Sequence, residues 1–434
     1  MKKRVGWLVG LVVVLFMVLL IACIAVSIAV VQSKPLVTAN APVQLDGADS
    51  VNELLAQLKT ALSKRKDNHV ITLTEIQIES LVGVLQRSVP NFKGMVNVSD
   101  LGGTIAFTFS PSDFDIYFNV TGLILPGNTL QIDHVSVGDL SLPGNLVLSA
   151  LEKGVNYWTE SEIATLALTR IDKVAMREGE VSLHLAPLDA FLSELNAVSA
   201  NLSMDDGNDE LETLTAYYLR YIAGRDLTLS ARSMPIIEYL REGMARAREQ
   251  STTPEEAVFH NKAVILALAT LVGHHRVGNL VGDIQPRANK ALKPRAPAIL
   301  KQRNDLARHF IISAALQLLS EEGMSLAIGE FKELMDRGEG GTGYSFVDLA
   351  ADMAGAEFAK TATHPQYASK VQNDIARIQS DSDIMPDITG LPEGLTKQVF
   401  TERYGQVDSE AYISEVREIQ RRITSIPLYS LTNL

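Results

Sequence analysis

An uncharged, apolar run from Val5 to Val31 constrains this chain more than any other feature of its sequence. A helix crosses the hydrocarbon core of a bilayer in roughly 20 residues, whereas the apolar part of a cleavable signal peptide is usually about 7 to 15 residues long. The run follows the basic cluster Lys2, Lys3 and Arg4, and such clusters stay on the cytoplasmic side. The sequence therefore predicts a single-pass anchor in a bacterial inner membrane, with the bulk of the chain in the periplasm.

A lipoprotein signal is the alternative interpretation of the same segment. The four residues from Leu20 to Cys23 have the form of a lipobox, in which the cysteine is lipidated after cleavage. The chain stays apolar after Cys23, whereas a processed lipoprotein normally becomes polar there, so we favour an uncleaved anchor. Both interpretations predict a chain that is tethered to a membrane.

The composition of the remaining chain excludes several classes of protein. The net charge of −12 argues against a nucleic-acid partner, because nucleic acids are bound by clustered basic surface. A single cysteine excludes an intramolecular disulfide. No second membrane span is predicted, because the apolar run Ala263–Gly273 is too short and Phe310–Gly329 is interrupted by Glu321 and Glu322.

The sequence predicts an α+β protein in which a transmembrane helix is followed by an antiparallel sheet domain packed with helices and then by an all-α domain. An acidic, polar segment separates the two domains, and helical periodicity dominates after it. The polar C-terminal part is predicted to be an extension with one amphipathic helix from about Asp408 to Ile423. The predicted organisation is an anchor at 1–33, a linker at 34–49, a sheet domain at 50–200, a linker at 201–210, a helical domain at 211–363 and the extension at 364–434.

Alternation of apolar and polar residues predicts the strands of the sheet. Ile105, Phe107 and Phe109 alternate with small or polar residues, as do the apolar residues from Phe114 to Val120. The alternation changes phase near His134, which predicts a β-bulge. Together with segments at about 163–174 and 179–185, these patterns predict about six strands.

The sheet domain resembles the YpmS-like extracytoplasmic proteins over residues 70–190. The shared motifs are Leu-Thr-Glu-x-Gln from Leu73 and Val-Gly-Asp-Leu-x-Leu-Pro-Gly from Val137. The resemblance implies a curved sheet wrapped on a long helix, which could cradle an acyl chain. The alternative is that the aromatic stripe is ordinary core, as stripes at strand spacing usually are. This stripe consists of Phe107, Phe109, Phe114 and Phe118.

Three predicted helices between residues 304 and 356 carry ionisable residues on apolar faces. On the first helix, Asp305 and His309 lie four residues apart on one edge, so Asp305 could orient the imidazole. On the second helix, around Ser325 to Asp336, Glu333 and Asp336 line one face.

The third helix is predicted to begin after Ser345. Ser345 and Asp348 match a capping box, and Asp348 and Asp352 lie one turn apart. Gly355 would allow a neighbouring helix to approach closely.

The same three helices resemble the YfiM-type periplasmic lipoproteins over residues 304–356, and VanZ-like membrane proteins at a distance. The resemblance is carried by three ordered motifs: Asp-x-x-x-His-Phe from Asp305, Gly-x-x-Lys-Glu-x-x-Asp from Gly329, and Gly-Thr-Gly-Tyr-Ser-Phe-x-Asp-Leu-x-Ala-Asp-x-x-Gly from Gly341. The resemblance implies an envelope location and a helical fold, and it implies no reaction.

Histidine and carboxylates together can bind a divalent metal such as zinc, manganese or iron, or supply acid–base chemistry. The predicted metal candidates are His309, Glu333, Asp336, Asp348 and Asp352, and the catalytic candidates are the same residues without Asp336. The alternative is a structural network in which Asp348 only caps its helix, Asp352 pairs with Lys332 and His309 bonds to Asp305.

Two functions follow from these patterns. The leading prediction is a membrane-anchored envelope protein that binds or scaffolds, with a lipid as its ligand. The alternative is a metal-dependent hydrolase that acts on a lipid or an envelope glycan through the cluster of His309, Glu333, Asp348 and Asp352. The sequence leaves open whether the chain is an enzyme.

Overall fold

The computed structural model describes residues 29–38, 53–54, 57–58, 60–89, 91–111, 115–205, 208–281, 284, 291–319, 343–407 and 409–430. The predicted class is confirmed at the coarse level, because the described residues form a mixed α+β structure with an antiparallel sheet and many helices. They divide into two compact units, one up to Leu195 and the other from Asn196. The predicted anchor lies outside the described residues as far as residue 28.

The first unit contains nine described strands in two antiparallel sheets. The larger sheet has the order β3-β4-β5-β6-β7, with β1 paired to β5, and the smaller has the order β2-β9-β8. The elements are β1 (Val31–Gln32), β2 (His69–Thr74), α1 (Glu75–Ser88), β3 (Phe92–Ser99), β4 (Gly102–Phe109), β5 (Tyr117–Leu125), β6 (Gln131–Val137), β7 (Leu140–Pro143), α2 (Gly144–Trp158), α3 (Ile163–Thr169), β8 (Ile171–Arg177), β9 (Glu180–Leu185) and α4 (Asp189–Asp205), which continues past Leu195.

Local sequence signals account for several of these elements. Thr74 caps α1, where its hydroxyl accepts from the Gln77 N–H and the Gln77 side chain accepts from the Thr74 N–H. The predicted bulge is confirmed as a register shift on β6 between the partners of Gly122 and Ile124. The segment from Ile163 differs from the prediction, because it is helical to Thr169 before β8 begins.

Residues of the predicted first linker are part of the larger sheet unit. The Leu36 N–H donates to Asn119 Oδ1 at 2.9 Å and the Val37 N–H to Thr108 Oγ1 at 3.0 Å, while the Asn119 amide donates to the Lys34 carbonyl at 2.9 Å. Val37 is buried. Buried backbone groups need hydrogen-bond partners, and here sheet side chains supply them.

The close approach of residues 29–32 to the β6–β7 turn depends on Gly138. Its φ is +59°, and a Cβ there would lie 2.3 Å from the Ala29 carbonyl oxygen. We expect Gly138→Ala to lower the free energy of unfolding of this unit by more than about 2 kcal/mol, because left-handed strain of about 1 kcal/mol adds to the loss of that contact. The matched control is Gly179→Ala, whose φ is +69° but whose Cβ would meet no atom within 4 Å. Denaturation monitored by Trp158 fluorescence compares the two variants, and equal losses would contradict the prediction.

The second unit is helical in its described residues apart from isolated bridges. A single large cluster of buried hydrophobic residues runs from Leu211 to Tyr429. Its helices are α5 (Asn208–Ala223), α6 (Asp226–Leu229), α7 (Ile236–Gln250), α8 (Pro254–Leu268), α9 (Asn304–Leu319), α10 (Phe346–Thr363), α11 (Ala368–Ile375), α12 (Lys397–Tyr404) and α13 (Glu410–Thr424), with a π turn at Ala269–Gly273 and 3-10 turns at His275–Leu280 and Asp381–Asp383.

The second predicted linker and the C-terminal extension differ from what the composition indicated. Residues 201–205 belong to α4, and α5 begins at Asn208. Phe400, Tyr412 and Tyr429 lie fully buried in the hydrophobic cluster of the second unit. The polar composition obscures this role because the buried hydrophobic residues, such as Ile375, Ile419 and Ile423, are dispersed among polar ones.

One helical segment of the described residues, Pro254–Gly273, is long and apolar enough to cross a membrane. More than half of its apolar window is buried inside the unit, and every residue from Ala263 to Ala269 is inaccessible to solvent. We therefore interpret it as the central core helix of the second unit, since a helix that is apolar all round is expected there too.

Candidate functional site

The structure brings three of the five predicted site residues together. His309 on α9 lies beside Asp348 and Asp352 on α10. Among the described helices of the second unit, α9 and α10 pack together most closely. Glu333 and Asp336 lie outside the described residues, as does Lys332. The side chains of His309, Asp348 and Asp352 are 13, 12 and 9% exposed, so the cluster is almost withdrawn from solvent.

The imidazole of His309 lies between two carboxylates. Its Nδ1 is 3.0 Å from Asp352 Oδ1, and its Nε2 is 3.7 Å from Asp348 Oδ2. The Ser313 hydroxyl donates to the same Asp352 oxygen at 2.7 Å. Ser313 was not among the predicted residues, although it follows His309 by four positions and thus shares its helix face.

Arg303 connects this cluster to a second group of acids. Its guanidinium lies 2.5 Å from Asp305, 2.6 Å from Glu393 and 3.4 Å from Asp348. The hydrogen bond from Arg303 holds the pKa of Asp305 below its ordinary value. Asp305 is therefore held by Arg303, and the carboxylates that face the imidazole are Asp348 and Asp352 rather than the predicted Asp305.

Asp348 has two roles in this arrangement. Its backbone N–H donates to Ser345 Oγ at 3.0 Å, which confirms Ser345 as the cap of α10. Its carboxylate faces His309 and Arg303. Burial raises the pKa of Asp348, and the neighbouring His309 and Arg303 oppose that shift.

The described cluster consists of one imidazole between two carboxylates, with a hydroxyl group hydrogen-bonded to one of them. The Ser313 hydroxyl is directed at a carboxylate, whereas a nucleophilic serine would be directed at the imidazole. No group of three or more His, Cys, Asp or Glu side chains in the described part of the chain has the geometry of a metal site. One atom is unusual: Asp352 Oδ2 is buried and has no hydrogen-bond partner among the described residues.

A second candidate site lies in the first unit, on one face of the larger sheet. Cross-strand partners share a face, so Phe107 lies beside Val120, which lies beside Val137. The bulge in β6 keeps Ile132 on this face together with Val135. We call these side chains the open apolar face, and they are Ile105, Phe107, Phe109, Phe118, Val120, Ile124, Ile132, Val135, Val137, Leu140 and Leu142.

Two of the described helices pack against the edges of this face. At one edge α1 packs on β3, where a Cβ at Gly94 would lie 2.6 Å from Val82 Cγ1. At the other edge α2 packs on β6 and β7, where a Cβ at Gly144 would lie 2.7 Å from the Cβ of Ile132. The strands β4 and β5 lie between these edges.

The middle of the face is correspondingly exposed. All nine residues of β5 are half-buried, and Ile105 on β4 is 39% exposed. A sheet packed against a core would instead show buried and exposed residues in alternation. Phe107, Phe109 and Phe118 are thus half-buried, and Phe114 lies outside the described residues.

The two units differ sharply in exposed apolar surface. Among the described residues, 20 large hydrophobic side chains are exposed, and 18 of them belong to the first unit. They include Leu81 and Leu85 on α1 and Leu151 and Val155 on α2, the two helices that flank the open apolar face. A concentration of exposed apolar side chains in one unit is typical of ligand grooves and interaction sites.

Comparisons of the chain with models of protein families, with curated proteins and with solved structures gave no match.

Proposed function

We propose that this chain is a membrane-tethered protein of the bacterial cell envelope that binds the acyl chain of a lipid on the open apolar face. The observation that carries the proposal is the exposure of that face between α1 and α2, in a chain whose other unit buries its apolar residues efficiently. The apolar run from Val5 to Val31 supports tethering, either as an uncleaved inner-membrane anchor or as a lipoprotein signal ending at Cys23. In both cases the bulk of the chain lies in the periplasm.

The energetics of the open apolar face favour an acyl ligand. Each methylene removed from water contributes about 0.8 kcal/mol, so ten buried methylenes contribute about 8 kcal/mol before the costs of immobilisation. The middle of the face carries no ionisable side chain, because its members on β4 and β5 are Ile105, Phe107, Phe109, Phe118, Val120 and Ile124. An acyl chain needs no polar partner there, and its headgroup would stay at the edge of the sheet.

A carboxylate placed on this face should abolish lipid binding. We expect Ile105→Glu to lower the lipid that co-purifies with the full chain at least about tenfold, because a charge cannot be desolvated against an acyl chain without a cost above about 1.4 kcal/mol. Organic extraction followed by mass spectrometry measures the bound lipid.

The matched control is Met95→Glu. Met95 is 53% exposed on the neighbouring strand β3, and its partner Ala106 places it on the opposite face of the same sheet. We expect this variant to retain its lipid. Equal retention by both variants, or a wild-type chain without lipid at any stoichiometry, would refute the proposed function.

A second candidate function is a metal-dependent hydrolase of a lipid or an envelope glycan. The observation in its favour is the buried Asp352 Oδ2, a carboxylate oxygen that a cation would satisfy. Its ligands would include His309, Asp348 and Asp352, with Glu333 and Asp336 as further candidates. The hydrogen bonds that join His309 and Ser313 to Asp352 favour the structural network over this function.

A further inference from the structure

We infer that the first unit is docked rigidly at the bilayer surface by the end of its own anchor, so that the open apolar face takes its lipid directly from the membrane. This inference rests on the proposed function, and it adds the source of the lipid and the orientation of the site.

The end of the apolar run is paired with the sheet. Val31 and Gln32 form β1 and pair antiparallel with Phe118 and Tyr117 at the start of β5. The Ala29 carbonyl accepts from the Asp139 N–H at 2.8 Å, in the β6–β7 turn. The residues that leave the predicted membrane helix are therefore fixed to two neighbouring parts of the sheet.

The chain remains attached to the sheet after β1. Lys34, Leu36 and Val37 are hydrogen-bonded through their backbone to Thr108 and Asn119. No free segment separates the apolar run from the sheet, since the attachments begin at Ala29 within that run. A flexible tether would allow the unit to rotate and move away, whereas this connection does not.

The length of the apolar run sets the height of the sheet above the bilayer. The run from Val5 to Val31 has 27 residues, whereas a bilayer core needs roughly 20. If the predicted span is helical, the surplus of about 7 residues is about 10 Å long at 1.5 Å per residue. The start of β5 would then lie within about 10 Å of the hydrocarbon boundary, in or just above the headgroup layer.

The same end of the sheet is where the open apolar face begins. Val31 is the cross-strand partner of Phe118, and Phe118 is the partner of Phe109, so these three side chains form one row on that face. Val31 is 37% exposed, and it is also the last residue of the apolar run. An acyl chain can thus pass from the bilayer to the face along continuous apolar surface, without crossing water.

The test uses the full chain in lipid vesicles, with Cys23→Ser as background and one fluorophore on a new cysteine. Asp139→Cys places it at the anchor end of the sheet, and Asn128→Cys places it in the β5–β6 turn at the opposite end, about 20 Å away along the strands. With vesicles that contain brominated phospholipid, we expect strong quenching at Asp139→Cys and weak quenching at Asn128→Cys. Equal quenching at the two positions would overturn the inferred orientation.

An inserted linker tests whether the docking matters for loading. About 16 Gly and Ser residues between Ile28 and Ala29 leave β1 and the sheet intact and add a flexible span of about 22 Å. We expect this insertion to reduce quenching at Asp139→Cys to the level of Asn128→Cys and to slow loading from vesicles severalfold, while loading from detergent-solubilised phospholipid is unchanged. Unchanged quenching and loading would overturn the inference.

The linker variant and the Ile105→Glu variant separate the two levels of the proposal. If Ile105→Glu loses its lipid but the linker insertion changes neither quenching nor loading, only direct loading from the membrane is refuted. Retention of lipid in Ile105→Glu would refute the proposed function itself, whatever the quenching pattern.

Discussion

Gly355→Ala is expected to destabilise the second unit by at least about 3 kcal/mol, at the upper end of the cost of overpacking. A Cβ at Gly355 would lie 1.9 Å from the Phe310 carbonyl oxygen and 2.8 Å from its carbonyl carbon. These atoms are backbone of α9, so they cannot move aside without separating α9 from α10. Urea denaturation, with amide hydrogen exchange of α9 and α10 as the local reporter, measures the loss.

Gly243→Ala provides the control in the same unit. Gly243 is also buried in a helix, but the atom nearest its Cβ would be Val264 Cγ1 at 2.6 Å, a side-chain methyl group instead of backbone. The gain in helix propensity of about 1 kcal/mol offsets part of the cost, so we expect a net loss below about 1 kcal/mol. A loss in Gly355→Ala no greater than that of Gly243→Ala would show that the helices can relax apart.

Asp352→Ala and His309→Ala are each expected to lower the free energy of unfolding by about 3 to 5 kcal/mol. In the buried pair, His309 Nδ1 and Asp352 Oδ1 are 3.0 Å apart. Each substitution removes one of these two groups, so the remaining group stays buried but loses this contact. The double variant leaves neither partner, so its loss should be smaller than the sum of the single losses by at least about 1 kcal/mol. Additive losses would show that the pair is not coupled.

Elemental analysis of the same variants decides between the network and the metal-dependent hydrolase. It is made under conditions in which circular dichroism shows each variant to be folded. A wild-type chain with stoichiometric divalent metal that both variants lose would support the hydrolase. A wild-type chain without metal, combined with the coupling described above, would support a structural network.

Local signals allowed several parts of the fold to be predicted from sequence. Ser345 caps its helix where the sequence predicts it, because a hydroxyl that satisfies free backbone N–H groups acts within one turn. Thr74 and Thr253 form full capping boxes by the same local rule. The bulge in β6 and the close approach at Gly355 were also predicted correctly, since both depend on the side chain at one position.

The partners of the buried acids could not be predicted with the same success. His309 and Asp352 are 43 positions apart, and their pairing is set by how α9 lies on α10. The same holds for Arg303, whose partner Glu393 follows 90 positions later. Sequence spacing suggested the nearer Asp305 as the partner of His309, and tertiary packing decided otherwise.

The sequence by itself determined where helices begin and where a strand changes face. It also determined which positions between 304 and 356 carry charge on apolar helix faces. These properties depend on side chains within a few positions of one another. Only the tertiary structure decided that the apolar strand residues form an open face instead of a closed core. It also decided that Val31 and Gln32 pair with the sheet and that Leu36 and Val37 are hydrogen-bonded to it. Exposure depends on which distant elements cover a surface, and the alternation of apolar residues is the same whether a helix covers it or leaves it open.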